Sequence, residues 1–496
     1  MKPIRRLAGQ TAIYGFSNIL GRFINFLLVP LYTRVFIPGE YGVVTEMYVY
    51  VAFLLIVLTY GMETALFRFT EDNPVKKDRV FSTALSSVIA TSAIFILAVL
   101  FFRQTLADLM RYQDNVEYIV LLCLIVGLDA IAAIPYAKLR ADNRPWRFAI
   151  VRLTGIIINI GLVLFFLVLC PGINESAPEW VSTLVNRVYD PGIGVGYVFI
   201  ANLAATSVSL IMLAPVVFGK KLSFDRLLWS RMLIYSLPLL VAGMAGWVNE
   251  ALDKLLLKFI LPEEIAMEQV GIYGAVYKLS IMMTLFVQAF RFAAEPFFFA
   301  QAGKVDSGQL FARVMNYFVI TCLFIFLGIM LFIDIVKHFI GPEFHEGLSV
   351  VPVLLLANMF LGIFWNLSIW YKLTAKTIYG AMFSVTGAAI TILLNIWWIP
   401  LFGYHGSAWA TLVCYFTLAA LSYFTGQKQY RIPYETGKIF ILITAAIGVY
   451  LAGSVVTGFP GVYTYLFNVL LLLVFSGICI AAEPGLKAIF NGARRV

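Results

Sequence analysis

Fourteen stretches of roughly twenty mostly apolar residues dominate this chain, the length an α-helix needs to cross the hydrocarbon core of a bilayer. They fall at 10–32, 41–67, 80–102, 116–136, 148–169, 194–218, 232–258, 271–298, 315–335, 350–371, 379–399, 405–426, 437–456 and 463–482. Lipid offers the backbone no hydrogen bonds, so each run must satisfy its own N–H and C=O groups. The runs therefore predict an all-α polytopic membrane protein of about 14 transmembrane helices. Composition agrees: 61% of the 496 residues are hydrophobic and 13% charged, whereas about a quarter of a soluble domain is charged. Length alone would suggest two or three soluble domains, an inference that fails for a chain solvated mainly by lipid.

Lysine and arginine orient the bundle, because they concentrate in cytoplasmic segments. Of the 36 Lys and Arg residues, only Arg34, Arg103, Arg111, Arg187 and Lys337 lie on segments of one side. Clusters such as Lys2, Arg5 and Arg6, or Lys138, Arg140, Arg144 and Arg147, lie on the other. Both termini are expected in the cytoplasm and the protein in the cell inner (cytoplasmic) membrane. The net charge of +9 follows mainly from this topology, with attraction to membrane lipids second, and it requires no nucleic acid partner. The first run is too long for a signal-peptide core and lacks a small-residue cleavage pattern, so it is read as a mature helix. Cys123, Cys170, Cys322, Cys414 and Cys479 are scattered singly, which predicts neither a disulfide framework nor a zinc site. The longest outer segment, 171–193, is too short and turn-rich for a soluble domain, and its Asn174-Glu175-Ser176 acceptor pattern is of a kind that arises often by chance.

Internal repeats locate the path of many transporters. A shift of 232 residues places Tyr41-Gly42 on Tyr273-Gly274, Glu46 on Lys278, Glu63 on Glu295 and Phe67 on Phe299. The second and eighth runs thus align at both ends. Two pseudo-symmetric six-helix lobes follow, an N-lobe at 1–219 and a C-lobe at 220–430, with two C-terminal helices and the cytoplasmic C-terminus at 431–496.

Charges inside the runs are the candidate functional residues. They are Arg22, Glu46, Glu63, Asp129, Arg152, Glu250, Asp253, Lys254, Lys258, Lys278, Arg291 and Glu295. A charge at the bilayer centre costs about 3 kcal/mol on insertion scales, so they are expected to face protein or water. Most belong to the first, second, seventh and eighth runs, which predicts a polar cavity between the lobes. Helix direction puts Glu46, Glu250, Asp253, Lys254 and Lys278 in an outer cluster, Glu63, Arg291 and Glu295 in an inner one, and Arg22 near the middle. Residues four apart share a helix face, so Glu250 can pair with Lys254 and Arg291 with Glu295. Lys258 and Arg152 are expected to snorkel to the interfaces, with Asp129 pairing with Arg152 as an alternative. Trp247 and Tyr277, beside the charged set, are positioned to meet sugar rings.

No phosphate-binding loop, HExxH or GxSxG motif is present. No cofactor is expected, and the classes that remain are a channel, a secondary transporter or an intramembrane enzyme. The segments GQTAIYGFSNILGRFINFLLVPLYTRVFIPGEYGVV, PYAKLRADNRPWRFAIVRL, ALDKLLLKFIL and VGIYGAVYKLS, in this order, resemble the polysaccharide-transporter, or O-antigen-type oligosaccharide flippase, family of the multidrug/oligosaccharidyl-lipid/polysaccharide exporter superfamily.

That resemblance implies a transporter rather than an enzyme, with two six-helix lobes around a central cavity, alternating access and a polyprenyl diphosphate-linked oligosaccharide as cargo. It further implies a cationic cavity, a role carried here to Arg22, Lys254, Lys278 and Arg291. Acidic Glu46, Asp253 and Glu295 depart from a purely cationic lumen; with Glu63 and Glu250 they are read as gating or coupling residues, for H+ or Na+. The alternatives are a cation-coupled multidrug exporter of the same fold and a peptidoglycan-precursor flippase. A glycan polymerase or ligase would need a large external catalytic loop, which this chain lacks.

Overall fold

The computed structural model describes residues 23–24, 26–72, 77–176, 178–218, 223–304, 306–455 and 461–483. Among them all regular structure is helical, and thirteen segments are long and apolar enough to cross a membrane. They match the second to fourteenth runs one for one. The first run lies almost wholly outside the described residues, and Arg22 with it. The chain is a multi-pass membrane protein and separates into two compact units, Met1–Leu255 and Leu256–Val496.

The first unit contains α1 (Pro38–Thr59), α2 (Met62–Asp72), α3 (Lys77–Phe101), α4 (Val116–Ala141), α5 (Pro145–Leu164), α6 (Gly196–Val217) and most of α7 (Arg226–Ile260). Helix α6 packs on α4 and α5, and α3 packs on α4. Ala132, Leu139, Phe148, Val151 and Leu213 form one apolar knot among them. The start of α7 is fastened to α3 by polar contacts: Arg79 to Asp225 at 3.1 Å, the Ser223 N–H to Ser82 Oγ at 2.7 Å and the Trp229 indole N–H to Ser87 Oγ at 2.7 Å. Segment 171–193 contains two short helices, Cys170–Ser176 and Glu179–Val185.

The second unit contains α8 (Glu263–Leu279), α9 (Ile281–Gln301), α10 (Ser307–Leu331), α11 (Val351–Leu367), α12 (Ile369–Leu373), α13 (Ile378–Phe402), α14 (Tyr404–Gln429), α15 (Thr436–Val455) and α16 (Gly461–Ala482). Helix α14 packs on α11 and α13, as α6 does on α4 and α5. The last two helices are tied to α10 by a polar knot. Asn316 donates to Glu435 at 2.6 Å and to Glu483 at 3.3 Å, and Lys438 pairs with Glu435 at 2.5 Å and Glu483 at 2.9 Å.

Two crossings that read as single runs are broken. The second run is interrupted at Tyr60 (φ 31°) and Gly61 (φ 74°), left-handed conformations that end a right-handed helix. A Cβ on Gly61 would stand 3.1 Å from the Ser236 carbonyl oxygen, so glycine also permits close approach to α7. The eighth run breaks at Ser280, whose hydroxyl donates to the Tyr277 carbonyl at 2.7 Å and accepts from the Asn358 amide at 3.3 Å. Side-chain competition for backbone carbonyls is a common cause of such kinks.

Candidate functional site

The repeat seen in the sequence reappears as duplicated geometry. Helix α4 ends with Asp142 N–H bonded to Lys138 O, Asn143 N–H to Arg140 O and Arg144 N–H to Leu139 O, at 2.8, 3.1 and 2.9 Å. Helix α12 ends with Thr374 to Trp370, Ala375 to Lys372 and Lys376 to Tyr371, at 3.1, 3.3 and 2.8 Å. Asn143 (φ 53°) and Ala375 (φ 56°) hold the left-handed position of this Schellman-type turn. Each position of one turn is its counterpart in the other displaced by the same 232 residues.

These turns present matching cations to matching acids. Arg140 pairs with Glu63 at 2.7 Å and Lys372 with Glu295 at 2.9 Å, each partner 77 residues from the other. Arg140 and Lys372 read as loop charges in the sequence; the structure puts both in the last turn of a helix. Applying the 232-residue shift to all charges, rather than to one helix, would have found them.

Around the second ion pair lies a cleft lined by Arg291, Glu295, Trp365, Asn366, Ser368 and Lys372, among others. The Arg291 guanidinium sits 3.7 Å from the centre of the Trp365 ring. The within-helix pair of Arg291 with Glu295 does not form, because Glu295 bonds Lys372; an acid C-terminal to its base is also the weaker order on a helix. The apolar floor consists of Ala294, Phe298, Phe311, Ala312, Ile369 and Ile432, with Phe298 and Phe311 packed edge to face at 4.9 Å. This floor fixes α9 against α10 and α12.

The outer candidates are placed as follows. Glu46 is fully buried and accepts the Tyr112 hydroxyl proton. Burial, with the Glu46 charge added, pushes the Tyr112 phenol well above its ordinary range. Lys254 bonds Asp253 Oδ1 at 3.1 Å and reaches the Glu250 backbone carbonyl at 3.5 Å. The expected Glu250–Lys254 side-chain pair is thus replaced by the adjacent Asp253, and the Glu250 side chain is exposed. Lys278 is half-buried. Lys258 is buried, near Phe259, instead of snorkelling outward. Asp129 accepts from Thr206 at 2.9 Å while Arg152 lies over Tyr136 at 5.7 Å, so these two do not form the expected ion pair. Trp247 packs on Phe53 at 4.7 Å and donates to the Val49 carbonyl at 3.3 Å; it serves the core with Leu255 rather than presenting a face to sugar. Among the described residues no three His, Cys, Asp or Glu side chains gather as a metal site.

The sequence matches the family described as polysaccharide biosynthesis protein over residues 7–300, more than half of the chain. The chain belongs to this family. The inner pair Glu63–Arg140, the buried Glu46 and the Asp253–Lys254 pair therefore lie within the family-matching region, while Lys372, Trp365 and Asn366 lie beyond it. Comparison with curated proteins returns no match. Among solved structures, the chain is similar to the lipid II flippase MurJ in an inward closed conformation, at 13% identity and a TM-score of 0.67 over 95% of this chain and 98% of that one. It is similar to the Vibrio cholerae MATE transporter VcmN at 15% identity and a TM-score of 0.58, over 86% and 97%. A Pyrococcus furiosus MOP superfamily transporter, described as having a binding pocket of reverse polarity, matches at 14% identity and a TM-score of 0.54, over 86% and 94%. The family thus carries the fold of the MOP exporters.

Proposed function

We propose that this protein is a flippase that carries a polyprenyl diphosphate-linked oligosaccharide from the cytoplasmic to the outer leaflet by alternating access between two six-helix lobes, at 1–219 and 220–430. The observation that carries this reading is Arg291, a cation in a membrane-crossing helix that rests on Trp365 while the neighbouring acid is held by Lys372. Membership in a polysaccharide biosynthesis family supports a glycan cargo, and similarity to a lipid II flippase supports a lipid carrier. The cargo's tail can remain in lipid while its diphosphate and sugars need a wet, positive groove. Arginine suits phosphate through its planar fork and lysine through its point charge. In this reading Arg22, Lys254, Lys278 and Arg291 bind the diphosphate, and Glu46, Glu63, Glu250, Asp253 and Glu295 gate or couple.

With both termini cytoplasmic and the cell interior negative, outward movement of an anionic headgroup is favoured by about 2.3 kcal/mol per charge per 100 mV. That is about a 50-fold bias, so nucleotide is not required for charge translocation. The buried acids Glu46 and Asp253 favour a second reading, a cation-coupled exporter of the same fold. The test is reconstitution in liposomes with fluorescent lipid-linked oligosaccharides of different charge, following headgroup access under an imposed potential. Flipping that depends on potential and headgroup charge is expected. Export of organic cations without glycan flipping would replace this reading with the second.

A further inference from the structure

The two inner ion pairs share a scaffold but differ in surroundings. The positions of the first unit that correspond to Arg291, Trp365 and Asn366 are Thr59, Ala133 and Ile134. There, Thr59 turns its hydroxyl back onto the Leu55 carbonyl at 2.7 Å, and small or apolar side chains complete the wall. In the second unit Asn366 is 3% exposed, yet neither its amide nitrogen nor its amide oxygen has a hydrogen-bond partner among the described residues. Native interiors rarely leave both ends of an amide unpaired. Asn366 lines the same cleft as Arg291.

The charges in that cleft do not cancel. Arg291 and Lys372 are positive and Glu295 negative, so one positive charge remains. Stacking on Trp365 engages the guanidinium's face and leaves its N–H edge available for a planar anion. Arg291 also stands ten residues before the end of α9, roughly 15 Å along a helix, well inside the crossing. An ester entering this cleft has left the headgroup layer.

We infer that the cleft between α9, α11 and α12 binds the phosphate of a membrane phosphate ester, with Arg291 holding the phosphate and Asn366 pairing with a neighbouring hydroxyl or amide group, and that the first unit has no such site. The inference does not need the cargo proposed above, because an anionic phospholipid and a polyprenyl diphosphate offer the same chemistry.

The test uses full-length protein in nanodiscs of zwitterionic lipid, with two probes: farnesyl diphosphate added from solution, and phosphatidylglycerol included in the disc. Bound probe is counted by native mass spectrometry. Saturable binding of at least one probe is expected. Farnesyl diphosphate alone would point to a cargo diphosphate, and phosphatidylglycerol alone to a lipid headgroup. Arg291→Gln should weaken binding roughly tenfold or more, the scale of a charged hydrogen-bond pair, and Arg291→Lys should recover only part of it. Asn366→Leu should weaken binding while raising the melting temperature of the ligand-free protein, since it removes an unpaired buried amide; a merely structural asparagine would lower both or neither. Thr59→Ala in the first unit should leave binding unchanged. Absence of saturable binding to either probe, or binding indifferent to both Arg291→Gln and Asn366→Leu, overturns the inference. Binding that persists while the liposome assay shows no flipping would sink the cargo reading and leave this site standing.

Discussion

The paired clasps Glu63–Arg140 and Glu295–Lys372 allow a quantitative test of the internal repeat. At 2.7 and 2.9 Å, Coulomb attraction in a water-like dielectric is about 1.5 and 1.4 kcal/mol. The participating side chains are between 21% and 39% exposed, so ordering two long side chains and solvent screening subtract from this; measured pairs of this kind fall at about 0.2–1 kcal/mol. We expect a coupling near 1 kcal/mol for Glu63–Arg140 and slightly less for Glu295–Lys372, where an ammonium replaces the fork. The assay is a pair of double-mutant cycles, Glu63→Gln with Arg140→Gln and Glu295→Gln with Lys372→Gln, read by reversible unfolding in mixed micelles. The charge swap Glu63→Arg with Arg140→Glu should regain part of what either single change loses. A sizeable coupling in one cycle and none in the other would refute the claim that the clasps are one element used twice.

Four further outcomes follow from local geometry. Ala375→Gly should stabilise the protein by up to about 1 kcal/mol, because alanine is strained at φ 56°; no gain in thermal midpoint would count against the turn. Gly406→Ala should cost about 1–3 kcal/mol, since a Cβ there would stand 2.5 Å from the Trp398 carbonyl oxygen, and thermal unfolding in detergent checks it. Tyr112→Phe removes a donor from the buried Glu46 carboxylate and should destabilise by about 1–3 kcal/mol, with Glu46→Gln in the same background recovering part of the loss. Hydrogen bonds from Lys438 and then Asn316 hold the Glu435 carboxyl below its ordinary range. A depressed folded-state value means the stabilisation is present above the unfolded value of about 4.3 and disappears as pH falls through the folded one. Lys438→Met should flatten that acid limb of the melting curve and speed proteolysis between α15 and α16.

Much of the fold was readable because lipid leaves few choices. Each crossing needs a long apolar run with its backbone satisfied internally, and the thirteen described helices follow the runs closely. What could not be read was where a run breaks. Ser280 interrupts the eighth crossing because Asn358, a residue 78 positions away, reaches its hydroxyl, and no local pattern encodes that meeting. The same limit applies to the site. Glu63 and Glu295 stood out as acids in apolar runs, but Arg140 and Lys372 were hidden among ordinary interfacial cations. Asn366 gave no signal at all, since a lone amide in a crossing is unremarkable until its partners are found missing.

Divergence between the halves separates scaffold from function more sharply than burial does. Both units keep the left-handed residue, the terminal hydrogen bonds and the acid–base clasp, features that a repeating helix pair needs in order to end and dock in the same way. Only the second replaces Thr59, Ala133 and Ile134 with Arg291, Trp365 and Asn366. A guanidinium and an unpaired amide inside a crossing weaken packing that the first unit achieves without them. A substitution set that lowers stability at one copy of a duplicated scaffold, while the other copy stays quiet, is what a ligand site added to one half would leave behind.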